Sequence, residues 1–137
     1  MFMRTKSLVS ATALLLFSSV ASAGLALPLP VQIDFAGRTA IGSMYAARTS
    51  ANAFEYIGCG VRFGVAGPIF AFCQAGLGEA AEQQFACITT EPALIEAIHA
   101  ISAFSLIVFA WDEEDNCTRI GNSTQSFYLP DFKDKKK

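Results

Sequence analysis

Four cysteines carry the clearest chemistry in this 137-residue chain. Cys59, Cys73 and Cys87 are spaced fourteen residues apart each time, and Cys117 follows. Four thiolates can bind zinc, but zinc sites usually contain C-x-x-C pairs, and this spacing has none. An even number of cysteines in an exported chain is instead typical of disulfides. We therefore expect two disulfides, no metal site and no cofactor.

Three short strands are predicted to hold the first three cysteines. The runs are rich in aromatic and β-branched residues and are separated by glycine-containing turns; they cover residues 54–63, 69–75 and 84–90. If the two hairpins are centred on Ala66 and Ala80, Cys73 faces both Cys59 and Cys87 on one side of the sheet.

This register limits the disulfide pairing. Cys59 and Cys87 would lie two strand spacings apart, roughly 9–10 Å, which is too far for a disulfide. Two pairings remain open. The preferred one is Cys73–Cys87 with Cys59–Cys117, and the other is Cys59–Cys73 with Cys87–Cys117.

The remaining segments predict a small α+β domain. An edge strand is expected at residues 31–35, and residues 37–52 are expected to be partly a strand or a short helical turn and partly a loop. A central strand is expected at 105–111, a strand at 117–121 and an aromatic strand end at 126–130. A helix is predicted from Pro92 to near Ser102, because Leu94, Ile98 and Ile101 fall on one face. The expected fold is one antiparallel sheet of about five strands with one packed helix. A β-sandwich with a helical crossover is the alternative.

The ends of the chain read as processing and tail segments. Residues 1–23 have a positive start, a short apolar run and an A-x-A site, which predicts a secretory signal peptide. A single disulfide-stabilised domain is expected over residues 24–132, followed by a charged flexible tail at 133–137. Without the leader and the tail, the domain has four arginines against eleven acidic residues. This charge argues against nucleic-acid binding, which needs clustered cations.

Few other residues suit catalysis or ligand binding. The single histidine, His99, lies on the predicted helix and would have to serve any hydrolytic site. Residues 112–116 (DEEDN), from Asp112 to Asn116, offer oxygen ligands of the kind that calcium takes, but they do not match an EF-hand loop and read more simply as a solvated turn. Aromatic and arginine side chains dominate binding hot spots. The recognition candidates are Arg48, Tyr56, Arg62 and Arg119, with Tyr45, Trp111 and Tyr128 as further exposed aromatic residues.

Several short motifs occur together in a familiar order. They are A-R-x-S-A at residues 47–51, Y-I-G-C at 56–59 and C-T-R-I at 117–120, with the four cysteines spread across the domain. As a set they resemble a loosely defined group of small secreted bacterial proteins that have signal peptides, four spaced cysteines and no assigned activity. The resemblance implies export and disulfides, and it offers no catalytic residues or ligand.

Taken together, these patterns predict a secreted or periplasmic, disulfide-stapled binding or interaction module rather than an enzyme. Its partner would be a protein or a small molecule, with no nucleic acid and no stable membrane span after removal of the signal. Two alternatives remain open. One is a small extracellular hydrolase that uses His99, and the other is an envelope-associated structural protein.

Overall fold

The computed structural model describes residues 24–64 and 67–130. Within them, seven strands form two antiparallel sheets. The four-stranded sheet has the order β1-β2-β6-β7, with β1 at Gln32–Asp34, β2 at Thr39–Ser43, β6 at Leu106–Trp111 and β7 at Cys117–Ser123. The three-stranded sheet has the order β3-β4-β5, with β3 at Tyr56–Phe63, β4 at Ile69–Gly76 and β5 at Gln84–Thr89. The helices are α1 (Met44–Thr49) and α2 (Pro92–His99).

The α+β class expected from the sequence is confirmed, while the strands are divided between two sheets rather than sharing one. The division follows from β6, which pairs on both sides with strands outside the cysteine-bearing hairpins. Its alternate residues Ile107, Phe109 and Trp111 are buried. They belong to the same apolar cluster as Cys73 and Cys87 of the other sheet, so the two sheets share one core.

The register of the cysteine-bearing strands matches the sequence prediction. Cys73 on β4 lies opposite Cys59 on β3 and also opposite Cys87 on β5. Cys73 and Cys87 are fully buried, and Cys59 packs against the core with partial exposure. The three cysteines therefore occupy one face of the three-stranded sheet.

The preferred disulfide pairing is wrong. The structure joins Cys59 to Cys73 across one hairpin and Cys87 to Cys117 between the two sheets. The reason is the position of β7, because the residues just before this strand lie beside β5. The amide of Ile88 donates to the carbonyl of Asp115 at 3.2 Å, and Ile88 forms a bridge with Asn116. This contact places Cys117 beside Cys87, which cannot be deduced from cysteine spacing.

The predicted helix is present and is followed by the predicted strand. It begins at Pro92, ends at His99 rather than near Ser102, and buries Ile98. The side-chain amide of Asn122 on β7 donates to the carbonyl of Ala97 at 3.2 Å, which fixes the helix to the four-stranded sheet. Among the described residues, no helix has the length and hydrophobicity that a membrane span requires.

The expected aromatic strand at residues 126–130 is wrong. Ser126–Tyr128 is a short 3₁₀ helix, and the amide of Leu129 donates back to the carbonyl of Ser126. These local bonds use the donors that a strand would need. The carbonyl of Phe127 instead accepts from the amide of Leu27, which ties the N-terminal segment to this turn.

Three expectations lie outside the described residues. They are the signal peptide at residues 1–23, the tail at residues 133–137 and the centre of the first hairpin at Ala66. The edge strand expected at residues 31–35 lies within the described residues. It is confirmed as β1, at one edge of the four-stranded sheet.

Candidate functional site

A groove lies between α1, the start of β3 and the connection from α2 to β6. Its volume is about 360 Å³, which is near the lower end of the range for small-molecule sites. The lining is mostly apolar, and it includes the side chains of Met44, Tyr45, Arg48, Glu55, Tyr56 and Phe104. We call this feature the Arg48 groove.

The helix α1 presents two of these side chains together. Tyr45 and Arg48 are three residues apart on the helix and therefore share a face. The helix is capped by buried Ser43, whose hydroxyl accepts from the amide of Ala46 at 3.3 Å. Such a cap satisfies one of the free amides at the helix start. The amide of Met44 also donates to the carbonyl of Ser105 at 3.0 Å, which holds the helix against the opposite wall.

The opposite wall contains Phe104 in an unusual backbone conformation. Its φ is 68°, in the left-handed region that bulky residues rarely adopt. The turn around it is stabilised because Ser105 donates to the carbonyl of Ser102 and its hydroxyl accepts from the amide of Ser102. The ring of Phe104 meets that of Tyr45 edge-on, with centroids 6.0 Å apart. Backbone outliers of this kind often occur at functional sites.

Glu55 and Tyr56, at the start of β3, form the third wall of the groove, and hydrogen bonds hold their side chains in place. The carboxylate of Glu55 accepts from the amide of Val31 at 2.8 Å in a partly buried position. The hydroxyl of Tyr56 donates to the side-chain oxygen of Gln84 at 3.2 Å. The ring of Tyr56 lies over Gly76 on the neighbouring strand, where a Cβ atom would collide with it. Both side chains are thus held in place before any ligand arrives.

Arg48 is the exposed cation of the groove. In the described part of the chain, the ion pairs are Arg38 with Glu113 and His99 with Glu96. The guanidinium of Arg48 therefore has no carboxylate partner there. Although Glu55 lines the same groove, its carboxylate bonds the backbone of Val31 instead. The groove thus combines aromatic walls with one guanidinium that forms no ion pair among the described residues.

The structure brings only some of the predicted recognition residues together. Arg48, Tyr56 and Tyr45 share the groove, whereas Arg119 is exposed on β7 and Arg62 lies over the ring of Phe72, 4.8 Å from its centroid. Trp111, expected to be exposed, is buried in the core. Tyr128 lies outside the groove and packs edge-on against Phe127.

Sequence reasoning missed Met44 and Phe104. Nothing in the order of residues marks a phenylalanine for a left-handed conformation, so Phe104 carried no signal. Met44 could have been found from its position, because it directly follows the residue that caps the short helix before Arg48.

His99 lies near a carboxylate of its own helix. Its Nδ1 lies 3.6 Å from a carboxylate oxygen of Glu96, and both side chains are largely exposed. A general base must reach a nucleophile by a hydrogen bond. Within the residues that the structure covers, no serine hydroxyl is bonded to His99.

The acidic turn uses a carboxylate to stabilise its own backbone. Asp112 accepts from the amides of Glu114 and Asn116 at 3.0 and 2.8 Å, and the side-chain amide of Asn116 donates to both of its oxygens. The hydrogen bond from the Asn116 backbone is the main cause that lowers the pKa of Asp112 below its ordinary value of 3.8. Glu113 is paired with Arg38 at 2.8 Å. Over residues 24–64 and 67–130, no three metal-ligating side chains form a group that could hold a metal ion.

Comparison of the chain with protein-family models, curated proteins and solved structures returned no match. We therefore infer its function from its own residues.

Proposed function

We propose that this chain is an exported, disulfide-stapled binding protein without catalytic activity, and that the Arg48 groove is its ligand site. The ligand is a small molecule with an apolar or aromatic body and an anionic end. Two disulfides indicate an oxidising compartment. The leader pattern at residues 1–23 and the resemblance to small secreted bacterial proteins support a secreted or periplasmic location.

The observation that carries this proposal is the exposed guanidinium of Arg48, which lines an aromatic groove and forms no ion pair among the described residues. Small-molecule sites are mostly apolar, with a few polar groups that fix the orientation of the ligand. Tyr45, Tyr56 and Phe104 supply the apolar walls. Arg48 supplies the orienting charge, and a guanidinium presents a fork of donors that matches carboxylate, sulfonate or phosphate oxygens.

The net negative charge of the domain makes Arg48 more important for binding an anionic ligand. The domain as a whole is acidic, so an anionic ligand has no general attraction to its surface. Binding of such a ligand therefore depends on the local contribution of Arg48. Removal of this single charge should change the ligand preference of the groove, whereas removal of an arginine elsewhere should not.

Two related dyes test the proposal. 1-Anilinonaphthalene-8-sulfonate has an aromatic body and a sulfonate, and N-phenyl-1-naphthylamine has the same rings without the charge. Fluorescence titrations of the oxidised domain with each dye give the two dissociation constants. We expect Arg48→Gln to weaken binding of the sulfonate about tenfold, as a lost charge-assisted hydrogen bond implies. Binding of the neutral dye should change less than about twofold.

Arg119→Gln is the matched control, because Arg119 is exposed on β7 and does not line the groove. It should leave both dissociation constants unchanged. Equal affinities of the Arg48→Gln and Arg119→Gln variants for the sulfonate would contradict the proposal. Far-UV circular dichroism confirms that both variants keep the fold.

A further inference from the structure

The two disulfides lie next to each other on the inner face of the three-stranded sheet. Cys73 is bonded to Cys59 on one side, and on the other side it lies directly opposite Cys87, which is bonded to Cys117. Facing residues in antiparallel strands have Cα atoms about 4.5–5.5 Å apart, which is within the range of a disulfide. Cys73 can therefore reach two partners, although it is bonded to one.

The four cysteine residues differ in their exposure to solvent. Cys73 and Cys87 have no exposed surface and Cys117 is 4% exposed, whereas Cys59 is only partly buried. A reductant that approaches from solvent meets Cys59 first. The released partner is then Cys73, which is the cysteine adjacent to the second disulfide.

We propose that the four cysteines form a disulfide relay that transfers an exchange event from Cys59 to Cys117. A thiolate of an external dithiol attacks the sulfur of Cys59, forms a mixed disulfide and releases the Cys73 thiolate. The Cys73 thiolate attacks the sulfur of Cys87, forms Cys73–Cys87 and releases the Cys117 thiolate, which takes up a proton. The second thiol of the dithiol then releases Cys59 as a thiol, so the dithiol is oxidised and one protein disulfide is reduced in total.

The relay changes which parts of the fold are joined. Cys87–Cys117 connects the two sheets, whereas Cys73–Cys87 lies within the three-stranded sheet. One reduction at the partly exposed Cys59 therefore removes the covalent link between the sheets and leaves a disulfide between β4 and β5. This inference does not depend on the Arg48 groove, since it uses only the cysteines and their strands.

Partial reduction of the wild-type protein tests the relay. The oxidised domain is treated with a small excess of dithiothreitol, quenched with acid at short times and alkylated, and the species with one remaining disulfide is mapped by peptide mass spectrometry. The relay predicts labels on Cys59 and Cys117 with Cys73–Cys87 intact. Labels on Cys59 and Cys73 with Cys87–Cys117 intact would overturn it.

Two serine variants test the same step without a reductant. Cys59→Ser leaves Cys73 as a free thiol beside the second disulfide, whereas Cys73→Ser leaves Cys59 free, roughly 9–10 Å from Cys87. Cys73 and Cys117 are both buried in the fold, so the first variant is quenched with acid and alkylated in denaturant. We expect this alkylation to label both Cys73 and Cys117, because exchange distributes the free thiol between them. The second variant should be labelled only at Cys59. Labelling of Cys73 alone in the first variant would overturn the proposal.

Discussion

Cys87 on β5 and Cys117 at the start of β7 are joined by a disulfide with their Cα atoms 5.1 Å apart, and this bond connects the two sheets of the fold. Cys117 also lies opposite Trp111 in the four-stranded sheet. The disulfide therefore connects the inner face of the three-stranded sheet to the strand that pairs with buried Trp111.

Removal of this disulfide should destabilise the protein and loosen the core around Trp111. The bond closes a separation of thirty residues, which corresponds to roughly 3–4 kcal/mol of free energy of unfolding in the chain-entropy description. Denaturant unfolding of the Cys87→Ala/Cys117→Ala variant measures this loss. The matched variant Cys59→Ala/Cys73→Ala should lose roughly 3 kcal/mol and keep the near-UV spectrum of Trp111. If both variants altered that spectrum equally, the inter-sheet role would be wrong.

The aromatic stack between the sheets should contribute to stability and can be followed by fluorescence. The rings of Phe85 and Trp111 are stacked with centroids 4.0 Å apart. Because Phe85 is only partly buried, Phe85→Ala should cost about 2 kcal/mol, less than a fully buried phenylalanine. It should also shift the emission of the only tryptophan to longer wavelength. Phe63→Ala is the control, since Phe63 is 78% exposed; a comparable loss there would argue against the stack as the cause.

Two glycines of the three-stranded sheet should respond differently to alanine. A Cβ atom on Gly76 would collide with the ring of Tyr56, whereas a Cβ atom on Gly58 meets nothing within 4 Å. Gly76→Ala should cost about 1–3 kcal/mol and displace Tyr56, which weakens binding of both naphthalene dyes to the Arg48 groove. Gly58→Ala should leave dye binding unchanged. Wild-type dye affinities in Gly76→Ala would show that Tyr56 does not shape the groove.

The stability contribution of Asp112 should depend on pH. Hydrogen bonds to its carboxylate lower its folded pKa below the ordinary value of 3.8, so the ionised form is favoured by folding. This contribution is present above the unfolded pKa and is lost as the pH falls through the folded pKa. The difference in melting temperature between wild type and Asp112→Asn should therefore shrink as the pH falls from about 5 to about 2.

Glu114→Gln removes one negative charge from the same turn and serves as the control for the overall charge. The side chain of Asn at residue 112 still offers an oxygen to the two backbone amides, so Asp112→Asn isolates the charge. If the difference between wild type and Asp112→Asn were constant over this pH range, the ionised hydrogen bonds would not be its source.

Local patterns predicted the three cysteine-bearing strands well. Strands expected at residues 69–75 and 84–90 correspond to β4 and β5 with one-residue differences at their ends. The glycine-containing turns and the alternation of apolar residues specify the register of a hairpin. Cys73 was therefore correctly placed opposite both Cys59 and Cys87.

Contacts between distant segments were the part that local patterns did not contain. The pairing of Cys87 with Cys117 depends on the bond between Ile88 and Asp115, which joins strands of different sheets. The groove also depends on contacts between distant segments. Arg48 and Phe104 are far apart in the sequence and come together in one groove only in the folded protein. Arg48 and Tyr56 could be selected by residue type, but their shared location could not.

The most direct test of the groove as a ligand site is an amide-resolved titration. The isotope-labelled, oxidised domain is titrated with 1-anilinonaphthalene-8-sulfonate, and the chemical shifts of its backbone amides are followed by nuclear magnetic resonance. The account predicts that the largest changes cluster at Met44, Tyr45, Arg48, Tyr56 and Phe104 and saturate with a single dissociation constant. Changes centred on the exposed face around Phe72 and Ile88, with the groove amides unaffected, would contradict it.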